Sequence, residues 1–391
     1  MEIKPPRLFL FPEDVDSDIS VLYYRMPLGS YDEDVNGVCH LFEHLIFKFI
    51  KNRDVFLDKL SEVIPYFNAW TSTSETVLTF NFLSKDLEKV LALLFYILKN
   101  VTPKDSDFDL EKDVIFQELK SLESSESYHA QTLFSEYFFK GTPYEHQIGG
   151  LAKEIRKRSM KDFYNHFSKI NRVDHQLFIL SKPDIEHTLS KLDVDYIVGE
   201  TAYKFDPKSL IDFKRIPSYH KMENGFSRSW FYVLTDLVDM IPVFRDFEFA
   251  FLVLVEALNK ISSPLYKMFR QESGLAYNIN SVYSLTNNFL YFMFYADIEK
   301  GKDEEAAEKL EQFFKEFILT DSIYMSGMNS VLYSFLKTRS DPQANFQENM
   351  NRLTSGLMPL DEMISKIPSK DAVLDCYEII KKRERKYLII D

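Results

Sequence analysis

The chain has 391 residues, 45% of them hydrophobic and including 35 Phe and 22 Tyr, so it is too apolar to be disordered and long enough for two domains. Its 47 basic and 60 acidic residues leave a formal charge of −13, which argues against nucleic acid as a partner because phosphates would be repelled. Two cysteines, Cys39 and Cys376, are too few for a disulfide scaffold, and a reducing, cytoplasmic location is the expectation.

In chain order, the opening MEIKPPRLFLFPEDVD has no apolar core of the secretory type, so no signal peptide is expected. No run of 18 apolar residues occurs anywhere, so no membrane span is expected either. DISVLYYRMPLGS reads as a strand ending at Pro27 and Gly29, and a helix is expected from Val38 to Ile50. In SETVLTFNFL, Thr76, Leu78, Phe80 and Phe82 share one face and Val77, Thr79, Asn81 and Leu83 the other, which is strand periodicity.

Two helices follow, KDLEKVLALLFYILKN and DSDFDLEKDVIFQELKSLESS, each opening on acids that suit the helix dipole. DHQLFILSK is a strand, and residues 196–215, with Gly199 and Pro207, read as a linker. The second half repeats the alternation: strand RSWFYVLTDL, helix FEFAFLVLVEALNK, strands AYNINSVYSL and NFLYFMFYADI, helix DEEAAEKLEQFFKEFI and a last strand KYLIID. The expected fold class is α+β, with two similar domains at 1–195 and 216–391, each a mixed, largely antiparallel sheet covered by helices.

The stretch VCHLFEHLIFK carries the chemistry. At 100° per residue, His40, Glu43 and His44 fall within an arc of about 100° and point into one space. Two imidazoles one turn apart can hold a zinc ion, with the glutamate facing the open coordination position, here in the order H-x-x-E-H. A third ligand must come from elsewhere, and the helix EKDVIFQELKSLE offers Glu111 and Glu118, seven residues apart on one face.

GSYDEDVNGVCHLFEHLIFK, NAWTSTSETVLTF, EKDVIFQELKSL and GTPYEHQIGG together resemble the N-terminal domain of the pitrilysin or insulinase-type inverted zincins, the group that includes mitochondrial processing peptidase. The resemblance implies one Zn2+ per chain held by His40, His44 and Glu118, with Glu43 as the base and Glu111 supporting a histidine ligand. SSPLYKMFRQESGLAYNINSVYS resembles the family segment carrying a catalytic-site arginine and tyrosine, here Arg270 and Tyr277. Departures are VIPYFNAW, which lacks the usual glycine and has Trp70 for a smaller aromatic, and Cys39, where many relatives have alanine.

The implied activity is that of a zinc metalloendopeptidase acting on extended peptides or leader sequences inside a closed chamber. The strand NAWTSTSETVLTF would take the substrate on its edge through backbone groups of Asn68 and Ala69. The implied assembly is a homodimer or a heterodimer with a paralogous subunit. The alternative is a non-hydrolysing structural or peptide-binding subunit.

Overall fold

Strand alternation builds the first sheet. The computed structural model describes residues 4–10, 18–182, 184–199, 212–286 and 289–391. Within it, Leu78, Phe80 and Phe82 line one side of a strand and are fully buried against helices. A fully buried Phe or Leu contributes about 1.5–3 kcal/mol. The other side is covered too: Val77 and Thr79 are buried, and Trp70 meets Tyr23 edge-on at 5.7 Å.

The chain divides into two compact units, Met1–Glu200 and Thr201–Asp391. The first holds strands β1 (Arg7–Leu10), β2 (Ile19–Met26), β3 (Tyr66–Thr71), β4 (Thr76–Leu83), β5 (Gln176–Leu180) and β6 (Ile197–Val198), in the sheet order β3-β4-β2-β5-β1-β6. From β3 to β5 the neighbours are antiparallel, and β1 pairs in parallel with β5 and β6. Its helices include α1 (Val38–Ile46), α2 (Arg53–Val63), α3 (Leu87–Lys99), α4 (Asp105–Glu123) and α5 (Glu126–Phe138).

The second unit holds β7 (Tyr219–Met222), β8 (Ser229–Asp236), β9 (Ala276–Leu285), β10 (Leu290–Ile298) and β11 (Arg385–Ile390), in the order β7-β11-β8-β10-β9. The pairing directions repeat those of the first unit: β9, β10, β8 and β11 are antiparallel neighbours, and β7 runs parallel to β11. Its helices include Ile241–Leu258, Asp303–Glu316, Asp321–Ser340 and Lys370–Lys381. This is the expected α+β design of two mixed, largely antiparallel sheets with helices. Among the described residues no helix is long and apolar enough to cross a membrane.

Three local expectations are corrected. The first helix stops at Ile46 because Phe49 and Ile50 turn into the core, where Ile50 bridges Val101. The segment NAWTSTSETVLTF is a hairpin and not one strand: Ser72 N–H donates to Glu75 O at 2.8 Å, turning β3 into β4. Residues 200–211 of the expected linker lie outside the described residues, while its start, Ile197–Val198, pairs with β1 and adds an edge to the sheet.

The start of α1 depends on glycine. Gly37 has φ +81 and precedes the helix, and a Cβ there would stand 2.6 Å from Gly149 O and from Ile155 Cδ1. Gly37→Ala is therefore expected to lower stability by at least the roughly 1–2 kcal/mol of a left-handed L-residue. A thermal melt beside wild type checks it, and an unchanged midpoint would contradict this account of the helix start.

Candidate metal centre

Helix α1 is amphipathic in a particular way. Val38, Cys39, Leu41, Phe42, Leu45 and Ile46 are buried, leaving His40, Glu43 and His44 half-buried on the remaining face. No acid lies in its first turn; Glu33 from the preceding loop accepts from the N–H groups of Gly37 at 2.8 Å and Cys39 at 3.0 Å. These are the donors a helix start leaves open.

Helix α4 opens with Asp105 and Asp107 and carries Lys120 in its last turn, as the dipole prefers. Its buried row is Phe108, Glu111, Ile115 and Leu119. A carboxylate in that row is tolerated because it is paired on both oxygens. His44 Nδ1–H donates to Glu111 Oε1 at 2.8 Å, and the Lys48 ammonium bonds Oε2. Burial works to raise the Glu111 carboxyl, but these two partners outweigh it and hold it below the usual carboxylate range.

The other nitrogen of each imidazole faces a common space. His44 Nε2 and His40 Nε2 are 3.1 Å apart, and the Glu118 carboxylate lies 3.5 Å from the first and 3.9 Å from the second. One ligand atom from each of the three lies within 4.8 Å of the others. Tetrahedral zinc with bonds of about 2.0–2.1 Å needs its ligand atoms roughly 3.3–3.4 Å apart. The spacing and the donor set, two imidazole nitrogens and one carboxylate, therefore fit zinc.

Burial and neighbouring charges act differently on the groups of this face. Burial, with His44 beside it, pushes His40 down to about 4. Burial also opposes charge on His44, but the bond to Glu111 and the nearby Glu43 and Glu118 hold its imidazole above the usual value. Burial raises the Glu43 carboxyl against the opposing pull of the Thr71 hydroxyl, which donates to Glu43 Oε2 at 2.9 Å.

Thr71 belongs to β3, the edge strand of its sheet. Phe67, Ala69 and Thr71 share one side of that strand. This side faces α1: the Phe67 ring lies tilted against that of Phe47, at the end of the helix, at 5.2 Å, and Thr71 reaches Glu43. Asn68 lies on the opposite side, where its Nδ2 donates to the Tyr66 hydroxyl at 3.5 Å. The Asn68 side chain thus points away from α1.

The loop GTPYEHQIGG closes the back of the site. A Cβ on Gly149 would meet Leu119 Cδ2 at 2.8 Å and His40 Nδ1 at 3.2 Å, so glycine lets this loop lie against the ring. Cys39 is turned away from the nitrogens; its thiol packs 3.5 Å from His166 Nε2, and burial pushes it well up.

In the second unit Arg270 and Tyr277 are brought together, the guanidinium 4.6 Å over the Tyr277 ring and 5.4 Å from that of Tyr266. Arg270 sits in a π-helical turn, Lys267–Glu272, a local widening frequent at functional sites. Tyr277 is 67% exposed at the start of β9.

Sequence reasoning missed Lys48, Thr71, Gly149 and Glu33. Lys48 was readable, being four residues beyond His44 as His44 is four beyond His40. The other three act through contacts that no local pattern shows.

Comparisons with known proteins bear on the same region. The sequence model for Insulinase (Peptidase family M16) matches residues 14–150, which span α1, β3, β4 and α4. Mitochondrial cytochrome b-c1 complex subunit 1 of Rattus norvegicus is 31% identical over 143 residues, covering 35% of this chain and 29% of that protein. The chain thus matches less than a third of that relative's length. A protein of Rickettsia bellii named as an uncharacterised zinc protease is 24% identical over 317 residues, covering 76% of this chain and 75% of its own. A crystal structure of a protease from Helicobacter pylori shares the fold with a TM-score of 0.79 at 15% identity, covering 100% of this chain and 98% of that one. Residues 14–150 thus match the insulinase family of peptidases, family M16, and the fold of the chain is shared end to end with that of the Helicobacter pylori protease.

Proposed function

We propose that the chain is a zinc metalloendopeptidase that hydrolyses extended peptides or leader sequences. One observation carries this: two imidazole nitrogens and the Glu118 carboxylate converge at the spacing zinc requires, with the half-buried Glu43 carboxylate on the same face of α1. His40, His44 and Glu118 would hold one zinc per chain, and Glu111 would orient His44. Bound there, zinc would lower the pKa of a water towards about 7 and polarise the scissile carbonyl.

Glu43 holds the proton taken from the attacking water at its carboxylate and passes it to the leaving amine. Thr71 orients that carboxylate through its hydrogen bond. The free edge of β3 pairs with the peptide backbone through Asn68 and Ala69, keeping the substrate extended alongside α1. Arg270 grips a substrate carbonyl or terminus, and Tyr277 donates to the oxygen that gains charge as the carbonyl is attacked.

The assembly in this reading is a homodimer, or a heterodimer with a paralogous subunit, and light scattering of the purified chain alone separates the two. Support comes from a relative named as a subunit of a larger complex.

Incubating zinc-loaded protein with a diverse peptide library and mapping the products by mass spectrometry tests the activity. Cuts inside peptides that disappear on chelation are expected. Zinc binding without any product would favour the peptide-binding subunit instead. Tyr277→Phe is expected to lower turnover by about 10²–10³, as loss of one oxyanion donor does, with zinc content and melting unchanged. Full activity in that variant would remove Tyr277 from the chemistry.

A further inference from the structure

The centre has a third basic residue, Lys48, that neither a zinc motif nor its supporting glutamate accounts for. Lys48 follows α1, and its ammonium bonds Glu111 Oε2 while Oε1 takes the His44 Nδ1–H. The Glu111 side chain is 2% exposed and the Lys48 side chain 31%. Among the described residues, His44 and Lys48 are the partners that Glu111 has.

We propose that Lys48 is a positioning residue for the metal centre, holding Glu111 so that its other oxygen fixes the His44 ring with Nε2 directed at His40 and Glu118. The inference rests on the zinc reading above. A carboxylate with two oxygens can rotate about its own axis, and a ring bonded to one oxygen rotates with it. Engaging Oε2 as well, from just beyond the end of α1, removes that freedom. The same ammonium balances a charge that is otherwise buried with a single partner, an arrangement that is strongly unfavourable when one member of a pair is removed.

The geometry makes the effect specific to the path from Lys48 through Glu111 to His44. Among the described residues the side-chain partner of Lys48 is Glu111, so the path from Lys48 to the imidazoles runs through the carboxylate. Outer partners of metal ligands typically change affinity by about 10–100-fold when removed.

Competition with a chelator of known affinity measures zinc binding directly and needs no substrate. Lys48→Met is expected to weaken zinc about 10–100-fold, and Lys48→Arg to stay within a few-fold of wild type. Glu111→Gln should weaken zinc by itself, because the amide offers one acceptor oxygen and cannot serve both partners. Adding Lys48→Met to Glu111→Gln should then cost little more. A purely structural lysine would instead show the same loss in both backgrounds, together with a lower melting temperature of the metal-free protein.

Zinc affinity of Lys48→Met within twofold of wild type overturns the proposal, as does an equal loss in the Glu111→Gln background. If Lys48→Met alone does not fold, the comparison is read in the Glu111→Gln background, where the buried charge is absent, and a large loss there overturns it. Wild-type protein that binds no zinc overturns the metal reading itself, and the lysine proposal with it.

Discussion

Glu43→Gln protein is expected to bind one zinc per chain as tightly as wild type and to lose turnover by roughly 10² to 10⁴. That range corresponds to about 2.7–5.5 kcal/mol of barrier. The amide keeps the size of the carboxylate and can still accept the Thr71 hydroxyl now bonded at 2.9 Å, so packing at α1 is preserved. What it cannot do is hold a proton taken from water. Glu43 is also apart from the three groups that converge, whose members are His40, His44 and Glu118. Zinc content by elemental analysis, with single-turnover cleavage of a mapped peptide, separates the roles. Loss of zinc together with activity would make Glu43 a ligand, and retained activity would move the base elsewhere.

Glu118→Ala carries the other large effect, loss of zinc outright and of activity with it. Glu118 supplies the one carboxylate of the converging set, at 3.5 and 3.9 Å from the two imidazole nitrogens. Without it two neutral donors remain for a divalent cation, and a hydrolytic site normally needs three protein ligands. The side chain is 45% exposed and makes no packing contribution to the buried row of α4, so the fold should survive the change. Glu111→Ala should behave differently. It removes the partner of His44 Nδ1 and lowers affinity by about 10–100-fold without emptying the site. A filled Glu118→Ala site beside an empty Glu111→Ala site would reverse the assignment.

These two glutamates show where local pattern stops. Their separation of seven residues is two helical turns, which places both on one side of α4 from sequence alone. It does not say which imidazole nitrogen each will meet. Packing decides that: the row Phe108, Ile115 and Leu119 goes into the core and takes Glu111 with it to His44 Nδ1, while Glu118 stays at the rim opposite Nε2. Likewise Asn68 and Ala69 are adjacent in a segment that reads as an edge strand. The pleat then sends the Asn68 side chain away from α1, where it meets the Tyr66 hydroxyl.

Local pattern is enough to read the elements that carry the site: a helix whose 100° step gathers His40, Glu43 and His44, an acid-headed α4, and alternating strands with one apolar face. Those are short-range properties, set by the geometry of the backbone and by which residues water excludes. Packing between elements sets the rest: α1 ends at Ile46, the edge strand is half of a hairpin, and Thr71, Lys48 and Gly149 reach the centre. Each of those last three contacts joins residues from different elements or beyond a helix end. Such contacts exist because apolar faces must be buried against one another, and which polar side chains are thereby brought together is not encoded in the periodicity of any one segment.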